Sequence, residues 1–336
     1  MSSGGVDELR PSRREPGTRE PLHPHAATMI EPPRRRRTND LPARLLTAAV
    51  LVPAVIALVV VGGLPYLAAV ITFVVLGQRE FYRLIEEKGA HPLASYGLVG
   101  GAALPLVAYL GSEYHATILM TATLLAVMIR QVGKAQIAEA LVSISGTFFG
   151  VFYVGWLLAH AVVLRNFHSA VIAHYGPAGA LQLGILPETG IFLMLFCLTA
   201  VVLCDAGAYF AGRRFGRRKL APRISPSKSV EGAVGGLAAG TVGALVAKGV
   251  FDLLWPALSA PLGWRAAAVM GFLVSVAGMI GDLVESLLKR DAHAKDSGQM
   301  LPGMGGIMDR IDSPLLGIPV MYYLMIFYIF LQVAAP

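Results

Sequence analysis

Long apolar segments separated by short polar ones run through most of the chain. From residue 44 onward they follow one another closely, and windows of about 20 nearly uncharged residues are long enough to cross a membrane as helices. The pattern predicts spans at 44–62, 64–82, 94–111, 115–130, 137–164, 190–212, 232–254, 266–288 and 313–334. We therefore expect an all-α, polytopic helical membrane protein with about nine transmembrane helices.

The composition agrees with a membrane protein and excludes an ordinary soluble domain. Of the 336 residues, 55% are hydrophobic and only 15% are charged, whereas soluble domains carry roughly 25% charged residues. Basic loops between spans account for the net charge of +7, so it does not require nucleic acid as a partner. Cys197 and Cys204 lie in one apolar segment, and we interpret them as packing residues rather than a disulfide.

Charge also divides the chain and orients it. Residues 1–40 are rich in Arg and Pro, which predicts a disordered tail, and Arg34 to Arg37 act either as a topology determinant or as a contact for anionic lipids. Residues 41–190 contain the N-terminal helices, and 191–336 contain the C-terminal helices with most of the candidate chemistry. Lys and Arg concentrate in the loops on the tail's side of the membrane, which predicts a cytoplasmic N-terminus and a cytoplasmic location for the charged stretch 281–312.

That stretch, Gly281 to Asp312, combines carboxylates, cations and glycines between two apolar segments. Its members are Asp282, Glu285, Asp291, Asp296, Asp309 and Asp312; Lys289, Arg290, Lys295 and Arg310; and Gly303, Gly305 and Gly306. Hard oxygen ligands, phosphate-binding cations and a flexible backbone together suit a magnesium-bound phosphate or nucleotide. A solvated loop with ordinary helix caps is the alternative.

Spacing within the stretch indicates which side chains lie together. On a helix, one face would carry Asp282, Glu285, Ser286 and Lys289. Asp309 and Asp312 would converge if their turn is helical, although helix capping ahead of Pro314 could explain Asp312 by itself. We interpret His293 as a solvated loop residue. The chain contains no Walker or Rossmann glycine pattern and no zinc-spaced Cys/His cluster.

A second polar stretch lies upstream, from Asp205 to Gly232. Asp205 stands inside an apolar segment, where a carboxylate is costly, and it could share a helical face with Tyr209 and Arg213. It is either a ligand or metal contact or part of a structural pair between helices. The segment Ser225–Ser229, which reads SPSKS, offers hydroxyls and the Lys228 ammonium as a phosphate clamp. Three glycines, Gly232, Gly236 and Gly240, predict close helix packing, with self-association as the less favoured interpretation.

These residues resemble a known family. The run SLLKRDAHAKDSGQMLPGMGGIMDRID, from Ser286 to Asp312, closely resembles the signature of bacterial phosphatidate cytidylyltransferases (CDP-diacylglycerol synthases). GDLVES before it, and DAGAYFAGRRFG and SPSKSVEG upstream, resemble the same family. The resemblance is strong from about 200 to 320 and only topological before that. Two positions depart from it: Met304 replaces the family's usual His, and Ser227 precedes Lys228 where many members have two lysines.

The resemblance implies a reaction, cofactors and partners. Such a nucleotidyltransferase joins CTP to phosphatidic acid, giving CDP-diacylglycerol and pyrophosphate for phospholipid synthesis. It implies dependence on Mg²⁺ (or Mn²⁺), room for a second, monovalent cation such as K⁺, and a homodimer embedded among the lipids of the bacterial inner membrane, with the active site facing the cytoplasm. The implied metal ligands are Asp282, Asp309 and Asp312, and the implied catalytic phosphate contacts are Lys228 and Arg310. The implied substrate-binding residues are Asp205, Ser225, Ser229, Lys289, Arg290, Lys295, Asp296, Gly305 and Gly306.

Other functions stay open at this point. A CTP-dependent lipid kinase of the dolichol or phytol type would also combine membrane helices with CTP. A secondary transporter would also bury carboxylates in spans, but transporters commonly show repeats in both halves, whereas charge here concentrates in the last third. A CDP-alcohol phosphotransferase is less favoured because its Asp-Gly…Ala-Arg…Asp pattern is not visible.

Overall fold

The protein is a bundle of helices with one small β-hairpin. The computed structural model describes residues 41–111, 113–134, 137–298, 300 and 305–334. The helices are α1 (Leu41–Val61), α2 (Gly63–Glu87), α3 (Ala94–Tyr109), α4 (Glu113–Val132), α5 (Ala140–Gly150), a π-helical segment (Val151–Trp156), α6 (Leu157–Arg165), α7 (Phe167–Gln182), α8 (Thr189–Phe215), α9 (Val230–Leu254), α10 (Pro256–Ser259), α11 (Trp264–Asp291) and α12 (Met308–Ala334). The hairpin pairs β1 (Lys219–Ala221) with β2 (Ser225–Ser229). The tail predicted at 1–40, Gly303 and Met304 lie outside the described residues.

The structure confirms the predicted fold class. Within the described ranges, seven helical stretches are long and apolar enough to span a membrane, among them the continuous run Ala140–Arg165. Two shorter apolar segments, Ala49–Val61 and Ala94–Tyr109, coincide with the two other predicted spans. An all-α polytopic membrane protein is therefore the fold, while the count of nine spans stays a prediction.

Two elements form where the sequence predicts only connecting segments. Helix α7 occupies most of the stretch between predicted spans, and it bends at Gly176, whose φ is 71°. The hairpin between α8 and α9 sets Lys219 opposite Ser229 and Ala221 opposite Ser225. Its strands are too short and too polar for a recognisable alternation of apolar residues. The Glu231 carboxylate helps to hold them by accepting from the backbone N–H of Arg217 at 2.9 Å.

The last helix begins at Met308, five residues before the predicted start of its span at 313. Pro314, which the sequence suggests as a first-turn residue, lies inside this helix. The extra turn is stabilised because Glu80 accepts from the Met308 N–H at 2.8 Å and Asp309 accepts from the Gly306 N–H at 2.7 Å. Glu80 is 228 positions away in sequence, so local pattern does not show this start.

The glycines of α9 pack against α8 of the same chain, as the predicted close helix packing requires. A Cβ on Gly236 would lie 2.8 Å from the Ala208 Cβ and 2.8 Å from the Cys204 carbonyl oxygen. A Cβ on Gly240 would lie 2.7 Å from the Ala200 carbonyl oxygen. Self-association through this face is therefore wrong, because α8 already covers it.

The core lies between the C-terminal helices and the helices of the first half. Cys197 and Cys204 are buried there as free thiols, which confirms them as packing residues. Large side chains that are fully buried come from both halves of the chain and include Phe167, Phe192, Phe196, Met308 and Leu315. The core thus holds α8, α11 and α12 in fixed positions, and these helices carry the polar residues described next.

Candidate active site

The candidate residues gather at one end of the bundle. There the ends of α2, α8 and α11, the start of α12 and the hairpin approach one another. Three contacts between distant elements define this end: Lys228 with Asp282, Lys88 with Asp291, and Glu80 with the start of α12.

A cavity of about 350 Å³ opens between α8, the hairpin, α9 and α11. Asp205, Tyr209 and Arg213 line it together, which confirms the predicted common face, and Arg213 donates to the Tyr209 hydroxyl at 3.1 Å. Asp205 is exposed to this space. Lys228 and Asp282 complete the charged lining. The cavity therefore carries both acidic and basic side chains on walls that are mostly apolar.

Lys228 reaches the cavity because the hairpin holds it there. Its ammonium lies 2.6 Å from the Asp282 carboxylate, and both side chains keep partial exposure, at 22% and 29%. Ser229 beside it has two roles, since it lines the cavity and its hydroxyl caps α9 by accepting from the Gly232 N–H at 3.1 Å. Ser225 lies at the far end of the strand, 3.5 Å from the Ser227 hydroxyl. An incoming phosphate could replace Asp282 as the partner of Lys228.

A second cluster lies deeper, between α11 and α12. The Lys289 ammonium is 2.6 Å from Glu285 and 2.7 Å from Asp309. Glu285 is completely buried, so its charge depends on Lys289 for compensation. Asp282, Ser286, Glu285 and Lys289 do share a face, with Ser286 and Asp282 3.5 Å apart. Lys289 therefore joins two carboxylates, and its predicted contact with substrate stays a prediction.

Asp309 accepts hydrogen bonds at both carboxylate oxygens. One oxygen accepts from Lys289, and the other accepts from the backbone N–H groups of Gly306 at 2.7 Å and Ser297 at 3.2 Å. Gly305 has a φ of 85°, in the left-handed region that glycine tolerates. Gly305 and Gly306 thus form a tight turn into α12, and Asp309 closes that turn by accepting from the Gly306 N–H.

Asp312 lies one turn further along α12, behind the residues that line the cavity rather than among them. Gly281 packs directly on the Asp312 backbone, which brings α11 and α12 together beside Asp282. The Asp312 carboxyl lies within electrostatic range of Asp282 and Asp205. It also accepts from the Ser313 N–H at 2.7 Å. The alternative interpretation of Asp312 as a helix cap ahead of Pro314 is wrong, because α12 begins at Met308 and Asp312 lies inside it.

The donor set suits magnesium in its chemistry. Asp282 and Asp312 offer hard carboxylate oxygens, the ligands that Mg²⁺ prefers, from parts of α11 and α12 that pack together at Gly281. Among the described residues, no three Asp, Glu, His or Cys side chains are close enough together to hold one ion. Mg²⁺ commonly takes only one or two protein carboxylates and completes its shell with water and substrate phosphates. Two carboxylates from α11 and α12 therefore fit the ion.

The remaining candidates lie around this centre. Arg290 donates to the Ile224 carbonyl at 3.3 Å and so ties the end of α11 to the hairpin. Lys295 and Asp296 are exposed in the loop after α11, and Arg310 is exposed on the first turn of α12. His293 is exposed, as its interpretation as a solvated loop residue requires.

Glu80 is a polar residue of this region that the sequence analysis missed. It is 5% exposed and accepts from Ser297, Ile307 and Met308. The available signal was a carboxylate inside a predicted membrane span, 64–82, which is costly unless it has a partner. The sequence does not reveal its partners, because each lies more than 200 positions further along the chain.

Comparison with known proteins adds to this geometry. The profile described as the cytidylyltransferase family matches residues 42–328. The chain is 34% identical over 298 residues to the phosphatidate cytidylyltransferase of Synechocystis sp., covering 84% of this chain and 96% of that protein. It is 31% identical over 296 residues to the phosphatidate cytidylyltransferase of Bacillus subtilis, covering 85% and 98%. The protein of that name from Haemophilus influenzae is 44% identical over 149 residues, or 43% and 48% of the two chains.

Proposed function

The chain belongs to the cytidylyltransferase family, and we propose from this membership and from its site that it transfers CMP from CTP to phosphatidic acid. It is an enzyme, a phosphatidate cytidylyltransferase, and its products are CDP-diacylglycerol and pyrophosphate. The observation that carries the proposal is the Lys228–Asp282 ion pair lining a cavity at the charged end of the bundle. The pair offers a cation for phosphate and a carboxylate for magnesium at the same point.

The reaction needs positioning and charge neutralisation more than a protein nucleophile. An oxygen of the lipid phosphate attacks the α-phosphorus of CTP and forms a new P–O bond. The bond between the α- and β-phosphates breaks, and its electron pair leaves with pyrophosphate. Both reactants are anions, so the main barrier is bringing them together in line.

The cavity residues supply this positioning. Lys228 and Arg213 can bind phosphate oxygens, and a phosphate that replaces Asp282 beside Lys228 releases that carboxylate. Asp282 and Asp312 would hold Mg²⁺, with Asp309 as the further predicted ligand. The ion, when bound, supplies positive charge to the phosphate oxygens. Lys289 keeps Asp309 and the buried Glu285 in place.

The setting of the enzyme forms part of the proposal. We propose that the site faces the cytoplasm of a bacterial inner membrane, because the basic loops surround it and CTP is a cytoplasmic nucleotide. The homodimer and a second, monovalent cation follow from the resemblance of the motifs. The lipid substrate would enter from the bilayer beside α8 and α9, where the cavity is lined mostly by apolar surface.

A labelling experiment tests the reaction against its rival. Purified protein is incubated with phosphatidic acid and with CTP labelled at either the α- or the γ-phosphate, with and without magnesium. CMP transfer places the α-label in the lipid and the γ-label in pyrophosphate. In a parallel reaction that contains a polyprenol or phytol alcohol, a CTP-dependent lipid kinase would instead place the γ-label in that lipid. Lipid that carries the γ-label would contradict the proposed reaction. Full incorporation of the α-label in excess chelator would contradict its requirement for a metal ion.

A further inference from the structure

Glu80 brings a buried carboxylate from the N-terminal half to the start of α12. One of its oxygens accepts from the Ile307 N–H at 3.1 Å. The other accepts from the Met308 N–H at 2.8 Å and from the Ser297 hydroxyl at 3.2 Å. Only 5% of the residue is exposed. Glu80 is the acceptor in all three of these bonds. A carboxylate can accept at both of its oxygens, whereas an amide has an acceptor at only one of the two positions.

The location explains why a carboxylate is favourable here. The first N–H groups of a helix have no acceptor inside the helix, and the helix end carries partial positive charge. Glu80 satisfies two N–H groups at that end of α12. Gly298 and Gly306 pack directly against its carboxylate, so a side chain at either position would displace it. These two glycines therefore fit closely against the Glu80 carboxylate.

Ser297 connects Glu80 to the candidate chemistry. Its hydroxyl donates to Glu80, while its backbone N–H donates to Asp309 at 3.2 Å. Asp309 also accepts from Gly306, the residue before Ile307. Glu80 and Asp309 thus both accept from Ser297 and from backbone N–H groups at or just before the start of α12. Moving Glu80 would shift the start of α12, which carries Asp309 in its first turn and Asp312 at the beginning of the next.

We propose that Glu80 is a positioning residue for CMP transfer: it fixes where α12 begins and thereby places Asp309 and Asp312 against α11. The inference rests on the proposed function. Glu80 does not line the described cavity that contains Lys228 and Asp282, so its effect on the reaction passes through α12. The helices of the first half of the chain thereby take part in the site.

Glu80→Gln tests this directly. The amide keeps the size of the side chain but turns an NH₂ group toward one of the three donors, so α12 loses part of its anchor. Residues that support metal ligands typically contribute 10- to 100-fold to metal affinity or activity. We expect the Mg²⁺ concentration for half-maximal CMP transfer to rise at least about tenfold. Glu87→Gln is the matched control, because it removes the same charge from an exposed position on α2.

Hydrogen–deuterium exchange without magnesium supplies a readout that does not depend on activity. In Glu80→Gln, amides in the peptide covering 305–312 should exchange faster, while peptides from α8 and α9 should match the wild type and Glu87→Gln. Ser297→Ala, which removes one donor only, should show the same changes at smaller size. It also serves as the test should Glu80→Gln fail to fold.

The two measurements together decide the inference. Faster exchange confined to the start of α12, with a raised magnesium requirement, supports it. An unchanged magnesium requirement, unchanged exchange at 305–312, or faster exchange throughout the protein would overturn it. Wild-type protein that incorporates no α-label into lipid would instead refute the proposed function, so the two failures are distinguishable.

Discussion

At the scale of single residues, the carboxylates of the site differ in how many cations and hydrogen-bond donors already contact them. Asp282 has one ammonium partner, Lys228, and both are partly exposed to the cavity. Asp309 has three donors around it and is largely enclosed, with 9% of its side chain exposed. Asp282 is therefore the carboxylate that a substrate or an ion reaches more easily, and the two positions should respond differently to substitution.

Asp282→Asn should abolish most of the activity and leave the fold intact. The amide has nearly the size of the carboxylate but lacks the charge that a hard cation requires. We expect turnover to fall on the order of 10²- to 10³-fold, as when a transition-state stabiliser is removed. Turnover is measured at saturating magnesium, with size-exclusion chromatography as the check on folding.

Asp291→Asn is the matched control for that experiment. Asp291 pairs with Lys88, but both side chains are well exposed, at 59% and 44%. Exposed pairs of this kind contribute about 0–1 kcal/mol, so we expect nearly normal turnover and stability. Near-normal activity in Asp282→Asn would remove that residue from the metal site.

Asp309→Asn should reduce both turnover and thermal stability. The amide oxygen can still accept from Gly306 and Ser297, but its NH₂ group then faces the Lys289 ammonium. Lys289 would keep Glu285 as its remaining carboxylate partner. Sequence reasoning alone predicts that the variant folds normally, since neutralising a carboxylate near the membrane relieves a desolvation cost. A melting temperature in detergent equal to that of Asp282→Asn would contradict the expectation from the structure.

At the scale of elements, α8 and α9, which both contribute residues to the cavity lining, pack closely through the glycines of α9. Gly236→Ala would add a methyl group 2.8 Å from both the Ala208 Cβ and the Cys204 carbonyl oxygen. Overpacking of this kind typically costs about 1–3 kcal/mol, so the thermal midpoint in detergent should fall. Gly249→Ala on the same helix has its nearest neighbour, Trp264, at 3.4 Å, an ordinary contact. Equal midpoints for the two variants would argue against close packing.

The hairpin and the loop before α12 show how connecting segments carry the chemistry. β2 delivers Lys228, and Ser229 at its end caps α9. The loop from α11 to α12 is held by Glu80 and Asp309. The described residues of both segments are held by contacts with neighbouring helices. Rigid helices thus give precise positions to residues that stand outside them.

At the scale of the whole molecule, the orientation in the membrane can be tested by labelling. Ser297 is 2% exposed and would report poorly, whereas Asp296 and Ala260 are exposed near opposite ends of α11. Asp296→Cys should react with a membrane-impermeant thiol reagent only from the cytoplasmic side, and Ala260→Cys only from the outer side. Both native cysteines are buried, so background labelling should be low. The reverse pattern would overturn the proposed topology.

Much of this protein is determined locally along the sequence. Whether a segment is long and apolar enough to span a membrane depends on its own residues, which is why the helical class could be predicted. The helical spacing of Asp205 with Tyr209 and of Glu285 with Lys289 is local too, and both pairs share a face in the structure. The motifs from Asp205 to Gly232 and from Gly281 to Asp312 likewise identify the chemistry, because they keep its charged groups within short runs.

Only the tertiary structure decided which of these charges meet. Lys228 pairs with Asp282 and Glu80 holds the start of α12, across separations that no local pattern encodes. Lys289 could equally have faced a substrate, and its position between Glu285 and Asp309 depends on how α11 packs against α12. The physical reason is that the strength of an ion pair depends on the distance between the two charges and on how far they are removed from water. Both quantities are set once the helices pack and are absent from the order of residues along the chain.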